Sequence, residues 1–273
     1  MDDNMTIELP EKAASMLETI RERRPLVHHM TNWVTISECA SITRSLGALP
    51  VMAHAVEEVE EMVAISGALV LNIGTLTPEF IDSMIVAGKQ ANKLGKPVIL
   101  DAVGVGATGL RNESARKILD GVKVTVIKGN AGEIAILAGA RAEVRGVESI
   151  SVEGDAVSHA KQLALAEGCV VAITAPVDIV TDGKRTFMVR NGHPRMGEVV
   201  GTGCMAASVI GAFTAVEKDW TIATACALSV YGIAGEMAAI DARGPGSMKQ
   251  NMFDTIMAIG RDDILRGARI DAA

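Results

Sequence analysis

Short apolar runs alternate with helix-patterned stretches along most of this chain, and no other feature restricts its fold as strongly. The runs Leu26 to Met30, Ala48 to Met52, Ala68 to Ile73, Val98 to Leu100, Val122 to Ile127 and Cys169 to Ile173 read as strands. Helical patterns cover Ala13 to Arg24, Val34 to Leu46, Glu57 to Ile65, a stretch opened by Thr77-Pro78 and running to about Leu94, and Asp155 to Glu167. Asn112 is predicted to cap a helix through Leu119, and Asn130 to open another. Strands that are apolar throughout are buried on both faces. When helices separate them they pair in parallel through right-handed crossovers. From Val177 the pattern changes: two alternating runs flank Asp182-Gly183, a hairpin signal. The rest reads as helix, in the stretches Gly203 to Val216, Ile222 to Ala239 and Ser247 to Gly260. Gly139 to Glu153 reads as a surface connection with a weak helical piece. With no repeat or linker, the expected architecture is one α/β domain over residues 1–273. It has three layers, α/β/α, around a mostly parallel sheet with an antiparallel edge hairpin.

Composition narrows the partners. Hydrophobic residues make up 49% of the 273 and aromatic ones only 3%, so the core is built from Ala, Val, Ile, Leu and Met. So few aromatics, with a net charge of −7, offer neither a base-stacking surface nor a basic footprint for nucleic acid. An anionic ligand has to be held by local N–H groups, single cations or a metal. Cys39, Cys169, Cys204 and Cys226 form no C-x-x-C pair, the start of the chain carries no signal-peptide pattern, and reduced thiols in a cytoplasmic protein are expected. Val199 to Val216 and Trp220 to Gly235 lack charges and approach membrane-spanning length. The Gly-Thr-Gly start of the first, and the acidic Glu217-Lys218-Asp219 turn between them, favour two buried core helices.

In open α/β sheets ligands gather at the carboxyl ends of strands. That rule selects Met30-Thr31-Asn32, Met52, Asn72 and Gly74, Asp101, Lys128-Gly129-Asn130 and Thr174, each at a strand end. Gly201-Thr202-Gly203-Cys204 should meet them there, as a glycine turn opening a small-residue helix. A helix start aims unpaired N–H groups and the positive dipole end at its turn, a place to hold an anion such as phosphate.

Most of these residues admit two roles. Asp101 can bind Mg²⁺, directly or through water, or can cap a loop. Glu133 stands three residues after Asn130, the spacing of a capping box, and can also serve as an outer-sphere metal ligand. Lys128 can reach a phosphate or be an ordinary solvated lysine. Thr174 can hydrogen-bond a nucleotide phosphate or close the turn at Pro176. Met52 can be core packing with backbone groups at the rim. His28 and His29 point to opposite faces of their strand, one expected in the core or an interface and the other near the rim, so they cannot form a two-His metal site. Cys204 differs from the other cysteines in its place at a helix start, which predicts a pKa below the ordinary value of about 8.5. Its local sequence supplies no His or Asn partner.

Taken together these blocks resemble the hydroxyethylthiazole kinases of the ribokinase-like superfamily. The resemblance rests on Pro25-Leu26-Val27-His28-His29-Met30-Thr31-Asn32, Gly47-Ala48-Leu49-Pro50-Val51-Met52-Ala53, Leu71-Asn72-Ile73-Gly74-Thr75-Leu76, Pro97 to Thr108, Lys128-Gly129-Asn130-Ala131-Gly132-Glu133-Ile134 and Gly201-Thr202-Gly203-Cys204, in that order and spacing. It implies phosphorylation of the alcohol of 4-methyl-5-(2-hydroxyethyl)thiazole by ATP with Mg²⁺, a thiamine salvage step, in a homotrimer with interface active sites. By the same resemblance Met52 and Gly201 contact the thiazole, Asn32 frames the alcohol pocket, and Lys128 and Thr174 contact ATP. Asp101 and Glu133 organise Mg²⁺. Gly201, Gly203 and Cys204 cradle the transferring group, with Cys204 where related sugar kinases carry an aspartate base. Lys128 departs from the arginine common in the family, which loosens bidentate phosphate contact without removing the charge. The competing readings are another ribokinase-like small-alcohol kinase, a nucleotide-hydrate dehydratase, or a non-catalytic protein that binds nucleotide and thiazole.

Overall fold

The computed structural model describes residues 3–140, 142–145, 148–152 and 154–273. The first half alternates as the pattern requires: α1 (Asp3–Arg23), β1 (Leu26–Met30), α2 (Ile36–Leu46), β2 (Leu49–Val51), α3 (Val59–Ile65), β3 (Ala68–Asn72), α4 (Pro78–Lys93) and β4 (Val98–Asp101). Then come α5 (Gly109–Gly121), β5 (Val126–Gly129), α6 (Ala131–Leu137), β6 (Ala142–Arg145), β7 (Glu148–Val152), α7 (Ala156–Glu167) and β8 (Val170–Ile173). The chain closes with β9 (Asp178–Thr181), β10 (Thr186–Val189), α8 (Thr202–Thr214), α9 (Trp220–Ile240), α10 (Pro245–Ala258), α11 (Arg261–Gly267) and β11 (Ile270–Ala272).

Nine strands form the main sheet in the order β11-β10-β9-β8-β5-β4-β3-β1-β2. The six from β8 to β2 are mutually parallel, and β9, β10 and β11 extend the other side antiparallel. Side-chain alternation splits the apolar residues into two layers. Val27, Val70, Ile99 and Val126 pack with α1, α2 and α8–α10, while Leu69, Leu71, Leu100 and Ile127 pack with α3–α5 and α7. A helix layer on each sheet face is the expected three-layer arrangement. α9 is long and apolar enough to cross a membrane, but 83% of its most apolar window is buried within the fold, against α1, α8 and α10.

Capping explains several boundaries. Thr77 accepts the Phe80 N–H ahead of Pro78, and Asp155 accepts that of Ser158. Gly47 ends α2 in the left-handed region, at φ 113°.

Four expectations are corrected. The first helix starts at Asp3, ten residues early, and continues through Pro10 with Leu9 buried against the core. Thr108 caps α5, not Asn112, whose side chain lies inside the helix and accepts the Gly106 N–H at 2.6 Å. Within Gly139 to Glu153, the described stretches form the antiparallel pair β6–β7 and not a helical piece; Arg141, Gly146, Val147 and Glu153 lie outside the described residues, as do Met1 and Asp2. The hairpin is not the sheet edge, because β11 pairs with β10 beyond it. A three-residue strand after a short helix carries too little alternation to be read from sequence.

Candidate active site

Register builds the site. Asn72 on β3 lies opposite Asp101 on β4, which lies opposite Lys128 on β5. All three share the parity of Val70, Ile99 and Val126, so they form a row on the α8 face of the sheet at its carboxyl rim. Lys128 belongs to its strand and does not follow it. It is 4% exposed, which removes the solvated-lysine reading. Its Nζ is 3.0 Å from Asp101 Oδ1, and Asn72 Nδ2 donates to Asp101 Oδ2 at 2.6 Å.

α8 lands on this row. Gly201 caps it at φ 95°, and a Cβ there would come within 2.6 Å of Thr35 Cγ2, so this turn requires glycine. A Cβ on Gly203 would meet Lys128 Nζ at 3.0 Å, so the ammonium abuts the first turn of α8. The Tyr231 hydroxyl donates to Thr202 O at 3.0 Å and anchors the loop from α9. A helix start, with its N–H groups lacking intrahelical acceptors, therefore meets a buried cation.

Asn32 joins the row from the β1–α2 connection. Its Oδ1 accepts the N–H groups of Val34 and Thr35 at 3.0 Å each, and its Nδ2 donates to Asn72 Oδ1 at 2.9 Å. The Cys204 sulfur accepts from Asn72 Nδ2 at 3.3 Å and from Asn32 Nδ2 at 3.4 Å. Both asparagines are remote in sequence, which is why the local sequence offered no partner. The expected low thiol pKa is overturned. Burial, with the neighbouring Asp101 carboxyl, pushes the Cys204 thiol up, outweighing the Lys128 charge, so the group stays a neutral thiol.

Burial likewise pushes the Asp101 carboxyl up, opposed by Lys128 and Asn72. Burial alone would lower Lys128, but Asp101 and Glu133 more than offset it and hold the ammonium above its ordinary range. Glu133 forms a full capping box: its Oε2 accepts the Asn130 N–H at 2.7 Å, and Asn130 Oδ1 accepts its N–H at 2.9 Å. Its Oε1 accepts the Gly104 N–H at 2.7 Å. Burial raises its pKa to about 7.

A cleft of about 450 Å³ opens on the other side of Gly203. Thr174, Thr202, Ala206, Tyr231, residues 191–194 and Met196 are among its lining residues. Thr174 reaches Gly129 O through its N–H at 2.9 Å, with its hydroxyl 3.5 Å away. The turn at Pro176 is closed instead by Asp178, which accepts the Ala175 N–H at 2.9 Å. Asp178 also lines the cleft, and burial raises its pKa to about 7.

Met52 does not join the row. It follows the edge strand β2, half-buried, outside both the hydrogen-bonded cluster and the cleft lining. His28 and His29 are both fully buried, and both bond to backbone carbonyls rather than to the row. His28 Nε2 bonds Ala53 O at 2.7 Å and His29 Nδ1 bonds Val27 O at 3.0 Å. Sequence reasoning missed Arg111, which donates to the carbonyls of Ile73, Gly74 and Val103 and ties the β3 and β4 loops together. Nothing in the local sequence marks an arginine inside α5 for that role. The sequence marks Asn72 as a strand end, and nothing local gives it a role.

Comparison with known proteins decides what carries this site. The Hydroxyethylthiazole kinase family matches residues 17–262. The chain belongs to the hydroxyethylthiazole kinase family. The hydroxyethylthiazole kinase of Methanosarcina acetivorans is 55% identical over 248 residues, covering 91% of this chain and 95% of that protein. The solved structure of the hydroxyethylthiazole kinase protein from Pyrococcus horikoshii matches with a TM-score of 0.87 at 41% identity, covering 96% of this chain and 99% of that one. A ribokinase-like superfamily protein from Enterococcus faecalis matches with a TM-score of 0.62 at 14% identity, over 91% of this chain and 95% of that one, and so shares the fold. The row of Asn72, Asp101 and Lys128 beneath α8 is thus the rim of a ribokinase-like sheet in a hydroxyethylthiazole kinase family member.

Proposed function

We propose that this protein transfers the γ-phosphoryl group of ATP to the hydroxyl of 4-methyl-5-(2-hydroxyethyl)thiazole, giving the thiazole phosphate used in thiamine salvage. The observation that carries the reading is the meeting of Lys128, Asp101 and the Gly201–Cys204 turn, where a buried ammonium abuts a helix start. Such a place stabilises negative charge and supplies little else. Phosphoryl transfer needs little else, since it runs through a loose transition state by positioning and charge neutralisation.

In this reading ATP occupies the 450 Å³ cleft, with Thr174 and Lys128 at its phosphates. The N–H groups of Gly203 and Cys204 face the transferring oxygens. The thiazole lies on the other side of the turn, against Gly201 and Asn32, with Met52 at its outer wall. The alcohol oxygen bonds to the γ-phosphorus as the bond to ADP breaks, and the hydroxyl proton leaves late, onto the transferred phosphoryl group. As a neutral thiol, Cys204 orients the alcohol and is not a strong base.

Asp101 and Glu133 fit Mg²⁺ as outer partners. Each oxygen of both carboxyls already accepts one hydrogen bond and keeps further lone-pair capacity. Among the described residues no cluster of three or more His, Cys, Asp or Glu could enclose an ion. A magnesium ion, which retains its waters and takes one or two carboxylates plus substrate phosphates, suits that donor set. It supplies charge neutralisation on the nucleotide. We further infer a single domain over residues 1–273 that works in the cytoplasm, supported by four free thiols, and assembles as a homotrimer with interface active sites. An exposed apolar patch supports the assembly: Trp33, Val34 and Val56 are at least half exposed, and Trp33 stacks on Phe80 beside the acceptor side of the turn.

Incubation with ATP, Mg²⁺ and the thiazole alcohol, read by mass spectrometry, tests the function. Thiazole phosphate is expected in step with ADP. A wild-type protein that binds both ligands and forms no product is not this kinase.

A further inference from the structure

We propose that Asn72 is a positioning residue for phosphoryl transfer, holding the Cys204 sulfur at a fixed distance from Asp101 so that the acceptor and nucleotide halves of the site stay in register. The proposal rests on the kinase reading above. Asn72 is 1% exposed and ends β3, between the strand that carries Asp101 and the strand that leads to Asn32. Its amide is fully used. Nδ2 donates to Asp101 Oδ2 at 2.6 Å and to Cys204 Sγ at 3.3 Å, while Oδ1 accepts from Asn32 Nδ2 and from the Gly74 N–H, each at 2.9 Å. Two donors and two acceptor sites are all that an asparagine side chain has.

This full use fixes the amide's orientation. A flip would turn Oδ1 towards the Asp101 oxygen and the NH₂ group towards two donors, losing the bonds to Asp101, Asn32 and Gly74 together. The packing leaves no slack either: a Cβ on Gly74 would come within 2.8 Å of Asn32 Cβ and 3.0 Å of Asn72 Oδ1. Asn32 repeats the design from the connection that follows β1. Its Oδ1 is anchored by Val34 and Thr35, and its Nδ2 gives the sulfur a second N–H at 3.4 Å. With two N–H donors on it, the Cys204 sulfur is held in one place. Two of the elements that meet at the transferring group, β4 and α8, are thereby bridged by a single side chain. A displacement of about 1 Å in such a site can cost a hundredfold in rate.

The test is a double-mutant cycle on the full-length enzyme with ATP, Mg²⁺ and hydroxyethylthiazole. It uses Asn72→Ala, Cys204→Ala and the pair, with urea midpoints measured for each. Asn72→Ala is expected to lower kcat by about ten- to a hundredfold, with either KM changing by less than about threefold. In the Cys204→Ala background the same change should cost clearly less, because the residue it positions is gone. A second readout is coupling: with a misplaced acceptor, water competes, and Asn72→Ala should consume more ATP than it makes thiazole phosphate. Asn72→Ser gives the same reading if the alanine variant does not fold. Losses that simply multiply in the double variant, or Asn72 variants within about threefold of wild-type kcat and fully coupled, overturn the proposal alone. A wild-type enzyme that makes no thiazole phosphate overturns the kinase reading, and this proposal with it.

Discussion

The buried Lys128–Asp101 pair makes the sharpest demand on the reasoning. Its side chains are 5% and 0% exposed, 3.0 Å apart, and the aspartate is further bonded by Asn72 Nδ2 at Oδ2 and by the Cys204 thiol. Replacing Lys128 with Met keeps the length of the stem and removes the charge, which strands a carboxyl in the core. Breaking one side of such a pair costs about 3–5 kcal/mol. In a chain of this size that is a fall in Tm of roughly 6–20 °C, at about 2–4 °C per kcal/mol. The loss must also depend on pH. Without Lys128 the folded-state pKa of Asp101, already raised by burial, rises further, so the folded form favours the protonated acid. Stability is then retained in acid and lost as pH rises through that folded pKa. Urea unfolding of wild type and Lys128→Met across the pH range reads both effects, and Lys128→Met/Asp101→Asn should recover most of the loss at high pH. A loss below about 1 kcal/mol, or one that does not vary with pH, would refute the claim that the two charges depend on each other.

Cys204→Ser should lower turnover while leaving ATP affinity within about twofold by calorimetry, and wild-type turnover in that variant would make the thiol a bystander. Asp101→Ala should raise the Mg²⁺ concentration needed for half-maximal rate far more than the KM for thiazole; an unchanged Mg²⁺ dependence sinks its assignment. Asp178, with a folded pKa raised by burial to about 7, favours the protonated folded state, so its contribution is present below about pH 4 and lost as pH rises through 7. Asp178→Asn keeps the acceptor for Ala175 and should flatten the pH dependence of urea stability by up to about 1.4 kcal/mol per pH unit in that window. Gly211→Ala places a Cβ 2.8 Å from Val70 Cγ2 and should cost about 1–3 kcal/mol, with kcat reduced and partial recovery on adding Val70→Ala.

The fold was legible because its signals are local and periodic. Apolar runs of strand length, Thr77-Pro78, Asp155 and Gly47 each act within a few residues, and the structure uses them as the sequence suggests. The misses lie where a distant contact decides. α1 extends back to Asp3 around Leu9, whose carbonyl meets the Cys226 thiol at 3.8 Å, 217 residues away. β11 exists because β10 offers it an edge. The site divides in the same way. The strand-end rule put Asp101 and Lys128 on one rim, but only register shows that they pair, and only tertiary packing brings Asn32 and Asn72 to the Cys204 sulfur. The ionisation of the thiol is illegible locally for that reason. A helix start lowers a cysteine pKa, but burial beside a carboxyl raises it, and burial is a property of the assembled core.

The scarcity of aromatic side chains belongs to the same account. α8 delivers Gly201 to Cys204 to the strand ends only because it lies very close to the sheet: at Gly211 a single added carbon would come 2.8 Å from Val70 and 3.1 Å from Val27. Larger side chains along that face would lift the helix, and with it the N–H groups of its first turn, away from Lys128. α8 therefore has glycine at its point of closest approach, Gly211, with Ala207, Ser208 and Ala212 buried near it, and β1 and β3 meet that glycine with Val27 and Val70. A core of small aliphatic residues has less area per residue with which to stabilise the fold than an aromatic one. What it allows is a short distance between a helix start and a row of polar residues at the rim. At that distance a buried ammonium, two amides and the first turn of a helix can act on one phosphoryl group, and a neutral thiol that only orients the alcohol is enough because the chemistry asks for placement before proton transfer.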